Sequence, residues 1–486
     1  MLLDLKRLLN DTVIYGLGFA LNRIGAILLL PLYTNYLTPA QYGTLEMFYV
    51  TSNVLTLFLA FGVEHATLRF YFEYDIQKDR NAVISTSAIT SFLISIFILI
   101  IFGFFTDYFS VIVFGTSEYS IHFWIIFGII VLSISEGIFY AYIRAIGKPV
   151  FYVIMSFLGL IFKVGFNYYF IVFKNLEVIG VLIGNLLGTT IIWIVLAVYT
   201  VKRVGISIHF TKLKQIYIYS FPLIAAGIFG MIMNSADRFF LKNFCDLKIV
   251  GIYALVIRLG TIIRYLYEQP FTKAYGPFRF EVMKNDNAKQ LYGRVLSYYI
   301  LGLGFIYLGL SFFTEFIVRF MAKDSYWPAL PYLPFVALNI GLQGLYYHFQ
   351  IGIYIKKNTV ILWKIFFGAT LINLIINYIF VPIIGIHGSI IASFLSINFI
   401  NILTFFYSQK VFKINYEWDR IIKIAIIVAI LMIMSKIINL NGFYDFNFKL
   451  FLLILYPITL YLSGFLTSEE TNKLKLFKQR LLNKTN

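Results

Sequence analysis

The sequence predicts an all-α integral membrane protein with fourteen transmembrane helices, arranged as two six-helix lobes and two extra C-terminal helices. Three observations predict this fold: an apolar composition, fourteen long apolar runs and an internal repeat. Of the 486 residues, 60% are hydrophobic and only 13% are charged, whereas soluble domains carry about 25% charged residues. No soluble fold of this length could cover so much hydrocarbon, so lipid must surround much of the chain.

Each apolar run approaches the ~20 residues that a helix needs to cross a bilayer. The predicted spans are 11–33, 44–66, 82–105, 120–142, 150–173, 178–200, 217–241, 250–272, 291–313, 328–350, 359–381, 383–407, 421–439 and 447–466. No polar domain interrupts them. The first run lacks a small-residue cleavage site and therefore indicates an uncleaved helix.

The basic residues fix the predicted orientation. The net charge is +17, which could indicate a nucleic-acid partner, but the Lys and Arg lie in short connections between the apolar runs. Connections on one side hold 27 of them and those on the other side hold 7. By the positive-inside rule, both termini are cytoplasmic, and no nucleic-acid partner is expected.

The internal repeat has an offset of 207 to 210 residues. The matched pairs are Asn35-x7-Gly43 with Asn243-x7-Gly251, Gly137-Ile-Phe-Tyr140 with Gly344-Leu-Tyr-Tyr347, Asn167-Tyr168 with Asn377-Tyr378, and Gly180-x3-Gly184 with Gly388-x3-Ala392. Six spans per repeat keep the same orientation, which predicts a pseudo-two-fold axis along the membrane normal. The lobes are then 1–215 and 216–412, and 413–486 holds the last two spans and a basic amphipathic tail.

The tail begins with Thr467 and Glu470, which have the spacing of a capping box. Leu474, Phe477 and Leu481 follow at helical spacing. The sequence therefore predicts a cytoplasmic surface helix whose basic face rests on anionic membrane lipid.

Several motifs resemble those of a known family. They are Ser220-Phe-Pro222, Asp237-Arg238-Phe239, Val250-Gly251-x-Tyr253 and Tyr36-Leu-Thr-Pro39-x-x-Tyr42-Gly43. Together with the length, span number and repeat, they resemble the Wzx-type polysaccharide flippases, whose superfamily includes the lipid II flippases and the multidrug and toxin extruders. The resemblance implies a carrier in a bacterial or archaeal cytoplasmic membrane that moves undecaprenyl-pyrophosphate-linked oligosaccharide to the outer leaflet. Other membrane proteins of polysaccharide assembly are candidate partners.

Four cations lie well inside the predicted spans: Arg23, Lys163, Arg258 and Arg264. A cation at the bilayer centre costs about 2.5–3.5 kcal/mol on insertion scales, so each must face protein or a wet cavity. A surplus of cations favours an anionic cargo, and Arg offers paired donors for a pyrophosphate. Arg23 and Arg258 are the stronger candidates for cargo contact.

Structural pairing is the alternative for the other two cations. Lys163 could pair with Glu136 on the neighbouring helix, and Arg264 could pair with Glu268 at i,i+4. Lys364 lies near the cytoplasmic end of its span and can snorkel. Glu136 and Glu268 are also the candidates for proton or sodium coupling, since they are the carboxylates best placed within the spans. No cofactor is expected. His348 is interpreted as a hydrogen-bonded packing residue.

The neighbours Asp237 and Arg238 end an apolar span near the predicted outer mouth. Adjacent helix residues point about 100° apart, so the sequence predicts that each has another main partner. An outer gate, a scaffold pair and sugar contact remain alternatives. Asn234, one turn earlier, suits either a carbohydrate hydroxyl or a hydrogen bond between helices.

Other function classes fit less well. A membrane glycosyltransferase or ligase would need an acidic metal motif, and the sequence contains no D-x-D pattern, so no enzyme is expected. A multidrug extruder commonly carries cations, which a pocket rich in Arg would repel. A lipid II flippase shares the basic cavity and the two extra helices, and it remains the hardest alternative to exclude.

Overall fold

The computed structural model describes residues 25, 27, 29–60, 62–356, 360–438, 440–467 and 470–471. Within them the chain is helical and contains no strand, which confirms the all-α prediction. The first described helix, α1, covers 29–36. The others are α2 (Pro39–Ala60), α3 (Val63–Glu73), α4 (Gln77–Gly103), α5 (Thr106–Phe114), α6 (Ser120–Ala145), α7 (Pro149–Tyr168), α8 (Glu177–Val204), α9 (Phe210–Phe244), α10 (Leu247–Ile263), α11 (Gln269–Glu281), α12 (Ala288–Phe312), α13 (Thr314–Met321), α14 (Leu333–Gln343), α15 (Tyr346–Phe349), α16 (Ile351–Ile355), α17 (Val360–Ile384), α18 (Ile386–Val411), α19 (Trp418–Ile437) and α20 (Gly442–Leu462).

Ten of the described helical segments are long and apolar enough to cross a membrane. Each coincides with one of the fourteen predicted spans. Of the other four, 11–33 lies largely outside the described residues, 217–241 lies in α9, 328–350 is divided between α14, α15 and their flanking turns, and 421–439 lies in α19. Large apolar side chains such as Phe104 and Ile383 are exposed, as expected of a multi-pass membrane protein in contact with lipid. The count of fourteen stays a prediction.

Two short π-helical turns interrupt this regular pattern. Tyr169–Phe173 follows α7, and Arg264–Glu268 joins α10 to α11. A π-turn inserts an extra residue into the helix and is frequent at functional sites. The second π-turn begins and ends with two of the predicted site residues.

The chain forms two compact units. The first comprises 1–255, 321–328 and 366–396, and the second comprises 256–320, 329–365 and 397–486. In the first unit, Ile138, Ile192 and Leu196 belong to a core between α6 and α8. In the second, Leu308, Ile424 and Tyr456 join α12, α19 and α20. The lobe boundaries drawn from the repeat stay a prediction, because contact density reports packing and not symmetry.

Two matched glycines of the repeat touch each other. A Cβ atom on Gly43 would lie 1.8 Å from the carbonyl oxygen of Leu247, and one on Gly251 would lie 1.8 Å from the carbonyl oxygen of Pro39. Pro39 and Leu247 are themselves 208 residues apart. The contact is therefore reciprocal, as at an interface between symmetric copies. It is consistent with the predicted internal repeat, and it lets the backbones of α2 and α10 cross at a distance that only glycine allows.

A second matched pair makes hydrogen bonds to a neighbouring helix on two other helix pairs. Asn167 on α7 and Asn377 on α17 are fully buried. Asn167 donates to the side-chain oxygen of Asn185 at 3.2 Å, and Ser389 donates to Asn377 at 3.0 Å. In both cases the polar partner lies on the next long helix, α8 or α18. Buried amides that hydrogen bond between helices are typical of membrane interiors.

Candidate functional site

A buried ionic cluster joins α2, α9 and α10 in the first unit. Arg238 lies 2.7 Å from the carboxylate of Asp237 and 3.5 Å from that of Glu46. The hydroxyl of Tyr253 donates to the second oxygen of Asp237 at 2.5 Å. All four side chains are buried. Glu46 is one turn beyond Gly43, and Tyr253 is two residues beyond Gly251, so the close glycine crossing brings these partners together.

The sequence-based prediction for Asp237 and Arg238 was partly wrong. They pair with each other, because the long Arg side chain folds back along its helix and also donates to the carbonyl of Asn234 at 2.6 Å. The angle of about 100° between adjacent helix residues describes the directions of their Cβ atoms and does not limit how far a guanidinium can reach. Each residue does have a further partner, as predicted: Tyr253 for Asp237 and Glu46 for Arg238. No sequence pattern indicates Glu46 as this partner, since it lies 192 residues from Arg238.

Two hydrogen bonds in the first unit hold the segment 321–328 against the turn that precedes α2. Tyr326 donates to the carbonyl of Leu37 at 3.0 Å, and Thr34 donates to the carbonyl of Met321 at 2.7 Å. Both donors are buried. The segment 321–328 therefore covers the junction of α1 and α2, on the side of the membrane that the charge distribution predicts to be outside.

Asn234 lies on an exposed part of α9, one turn before Arg238. Its amide donates to the carbonyl of Gly230 at 2.6 Å. The side chain is therefore hydrogen-bonded within its own helix, while its exposure leaves it accessible to a ligand.

Lys163 and Glu136 interact electrostatically in the first unit. Lys163 on α7 packs closely against Gly188 on α8, where a Cβ atom would lie 2.7 Å from its Cγ. Its charge acts on Glu136 of α6, and both side chains are half-buried. The two residues are therefore electrostatic partners. Arg23, the fourth predicted cation, lies outside the described residues.

Arg264 and Glu268 lie at the two ends of the π-turn in the second unit. The guanidinium of Arg264 donates to the side-chain oxygen of Gln343 on α14, and its Nε lies 3.8 Å from the carboxylate of Glu268. The Glu268 side chain is only 5% exposed, whereas that of Arg264 is 28% exposed. The predicted pairing therefore exists, but it is loose and leaves part of the cation accessible. Arg258, half-buried, lies six residues earlier on α10.

His348 differs from its interpretation as a hydrogen-bonded packing residue. It is buried, and neither of its ring nitrogens has a hydrogen-bond partner among the described residues. Its ring lies among Phe271, Tyr275 and Tyr299, with centroid distances of 4.7 to 5.5 Å. A histidine in an apolar run gives no sequence signal that its ring nitrogens are unpaired.

The predicted capping box at the start of the tail is confirmed. The Thr467 backbone N–H donates to Glu470 at 2.8 Å, and the Glu470 backbone N–H donates to the Thr467 hydroxyl at 3.3 Å. Arg420 and Tyr298 also donate to the Glu470 carboxylate. Burial alone would raise the pKa of Glu470, but these hydrogen bonds and the charge of Arg420 lower it to about 2. The carboxylate thus fastens the start of the tail to α12 and α19.

A cavity of about 410 Å³ lies elsewhere in the second unit, between α13 and the start of α20. Its lining includes Phe316, Arg319 and Lys449. Each cation already has an acidic partner one turn away, at 2.7 Å: Glu315 for Arg319 and Asp445 for Lys449. None of the predicted site residues lines this cavity.

The chain matches the polysaccharide biosynthesis protein family over residues 8–283, more than half of its length. A comparison with curated proteins returns no match.

Solved structures share the fold at low sequence identity. The lipid II flippase MurJ in an inward closed conformation has a TM-score of 0.76 at 16% identity, covering 93% of this chain and 99% of that chain. An inward-facing multidrug resistance MATE family transporter of the MOP superfamily has a TM-score of 0.58 at 15% identity, covering 82% and 94%. The Vibrio cholerae MATE transporter VcmN has a TM-score of 0.55 at 13% identity, covering 83% and 96%. The chain therefore belongs to the polysaccharide biosynthesis protein family and has the fold of the MurJ and MATE transporters of the MOP superfamily.

Proposed function

We propose that this protein is a flippase that moves undecaprenyl-pyrophosphate-linked oligosaccharide from the cytoplasmic to the outer leaflet by alternating access, for assembly of a cell-surface polysaccharide such as O-antigen. Its membership of a polysaccharide biosynthesis family and its transporter fold support this proposal. In this account it is a carrier and not an enzyme, it lies in a bacterial or archaeal cytoplasmic membrane, and both termini face the cytoplasm.

The accessible cation of Arg264 carries the proposal. A guanidinium that is 28% exposed within a span would cost about 2.5–3.5 kcal/mol if lipid surrounded it. It therefore faces an aqueous cavity, and its loose contact with Glu268 leaves donors for a second anion. An Arg fork fits the oxygens of a pyrophosphate bidentately. Arg258 on the same helix, Lys163, Arg23 and Asn234 are the further proposed cargo contacts.

We assign the cluster of Glu46, Asp237, Arg238 and Tyr253 to an outer gate in its closed state. Buried ion pairs gain little net stability, because the attraction of the charges is offset by their desolvation. When the gate opens, water can solvate the separated charges, so the free energies of the open and closed states stay close. An apolar seal of the same area would resist opening more strongly.

Glu136 remains a proposed coupling residue, with Lys163 as its electrostatic partner. The tail is proposed to lie on anionic lipid, held at Glu470. Other membrane proteins of polysaccharide assembly remain proposed partners of the carrier.

A lipid II flippase is the second candidate function. The match to MurJ covers 93% of this chain, while the matches to the MATE transporters cover 82–83%. A peptidoglycan precursor carries the same pyrophosphate and differs in its distal groups.

Leaflet transfer in liposomes tests the proposal. The purified protein would be offered a polyprenyl-pyrophosphate oligosaccharide, lipid II and a cationic dye in separate experiments, with protein-free liposomes as the control. Transfer of the oligosaccharide in preference to the other two supports the proposal. Transfer of lipid II alone would establish the second candidate, and transfer of the dye alone would contradict both.

A further inference from the structure

A group of buried polar side chains in the second unit lacks hydrogen-bond partners. Glu268 is 4% exposed, Tyr299 0% and His348 1%. Among the described residues, Oε2 of Glu268, the Tyr299 hydroxyl and both His348 ring nitrogens have no hydrogen-bond partner. The neighbouring Tyr275 hydroxyl has none either. A buried polar group that stays without a hydrogen-bond partner destabilises the folded protein.

Two of these groups lie against one glycine, and His348 packs on the second of them. A Cβ atom on Gly344 would lie 1.8 Å from the Tyr299 hydroxyl and 3.2 Å from Cγ of Glu268. The Tyr299 ring lies 4.7 Å from the His348 ring, between centroids. Four neighbouring side chains with buried atoms that make no hydrogen bond among the described residues indicate a small polar occupant. Water is the usual one, since a buried water typically makes about three hydrogen bonds to groups of this kind.

The chemistry of the group suits a proton better than a metal ion. A hard cation needs about six oxygen ligands, whereas this group offers one carboxylate, two hydroxyls and two ring nitrogens. His, Tyr and water can each donate and accept a hydrogen bond, so they can pass a proton to or from the carboxylate.

Several charged and titratable groups face this site. Arg264 lies 3.8 Å from Glu268 within the π-turn, and Arg279 on α11 acts electrostatically on His348. Tyr299 and Tyr347 both interact electrostatically with Glu268. Tyr275 stacks on the His348 ring. Arg264 is therefore the charge in direct contact with the carboxylate, and its pairing must change when Glu268 gains or loses a proton.

We propose that Glu268, Tyr299 and His348 enclose a hydrated proton-binding site that controls the availability of Arg264 for the cargo. The ionised carboxylate of Glu268 competes with an anionic cargo for the guanidinium. Protonation of Glu268, by a proton passed from solvent through water and His348, removes that competition. Proton and cargo then increase each other's affinity, because coupling between two sites is reciprocal. The link to the cargo rests on the proposed function; the proton site itself does not.

Infrared spectroscopy tests the proton site without any cargo. In pH-difference spectra of the purified full-length protein, the proposal predicts a carboxylic acid C=O band that Glu268→Gln removes. Glu64→Gln is the matched control, because Gly137, the repeat counterpart of Gly344, contacts Glu64, whose carboxylate is instead paired with Arg144. That variant should keep the band. His348→Phe should keep the packing and slow deuterium exchange of the band. A band that is absent from the wild type, or that persists in Glu268→Gln, would overturn the proposal.

Binding of a short polyprenyl pyrophosphate tests the link to Arg264. Lowering the pH should raise the affinity of the wild type for the pyrophosphate by about 5-fold or more beyond any change in Glu268→Gln. In that variant the neutral Gln never competes with the pyrophosphate for Arg264. Comparison of the two proteins cancels the titration of the pyrophosphate itself. Equal pH dependence in both would refute the link. Failure of leaflet transfer with the infrared band intact would count against the flippase and leave the proton site standing.

Discussion

The reciprocal contact between Gly43 and Gly251 makes a quantitative prediction. A methyl group at either position would lie 1.8 Å from a backbone carbonyl oxygen, whereas a carbon–oxygen contact needs about 3.3 Å. The helices α2 and α10 must then separate by roughly 1.5 Å, because a backbone oxygen cannot rotate away as a side chain can. Overpacking of this kind costs about 1–3 kcal/mol, and the helix propensity of Ala returns about 1 kcal/mol.

Gly43→Ala and Gly251→Ala should therefore each lower the free energy of unfolding by up to about 2 kcal/mol. Gly165→Ala is the matched control, since nothing lies within 4 Å of a Cβ atom there. It should stabilise the protein by up to about 1 kcal/mol. The double variant should cost less than the sum of the single ones, because the second methyl group enters a gap that the first has opened.

The measurement is unfolding of the detergent-solubilised protein, followed by tryptophan fluorescence or by thermal stability. If the Gly43 and Gly251 variants are as stable as Gly165→Ala, the close crossing does not exist. If the two costs add fully, the glycines do not contact each other across one interface.

Two further predictions concern buried charges. Arg238→Ala leaves Glu46 and Asp237 buried without their cation and should lower the free energy of unfolding by about 3–5 kcal/mol; Arg238→Ala with stability unchanged would show that the cluster is not buried. Glu470 has a pKa of about 2 against an ordinary 4.5, so its stabilising effect is complete above pH 4.5 and is lost as the pH falls from about 4.5 to 2. Because solvent screens this group, the stability difference between wild type and Glu470→Gln should be about 1 kcal/mol at neutral pH and should shrink across that acidic range. A difference that does not vary with pH would contradict the network around Arg420.

Local and repeated features were predictable from the sequence. The capping box of Thr467 and Glu470 depends on residues three apart, and its hydrogen bonds form as the spacing requires. The repeat was visible as matched residues, and Gly43 with Gly251 now gives it a physical basis. The apolar runs likewise predicted ten spans that coincide with described helices.

Long-range pairing was not predictable from one sequence. Glu46 lies near a helix end and gives no signal that it reaches Arg238 from another helix. The π-turn at Arg264–Glu268 changes the angular spacing around the helix, and no residue pattern indicated it. His348 has its distinctive environment because Tyr275 and Tyr299 come from separate helices.

Leaflet transfer by arginine variants tests the central claim most directly. Arg258→Ala and Arg264→Ala would be reconstituted beside wild type and Lys202→Ala, which removes an exposed cation near the end of α8. Loss of a charge-assisted hydrogen bond to the pyrophosphate costs about 1.5–3 kcal/mol, so each variant should bind a polyprenyl-pyrophosphate oligosaccharide about 10- to 100-fold more weakly, with transfer reduced at limiting cargo. Lys202→Ala should match the wild type. Unchanged transfer in both arginine variants, with their folding intact, would contradict a cationic binding site for an anionic lipid-linked cargo.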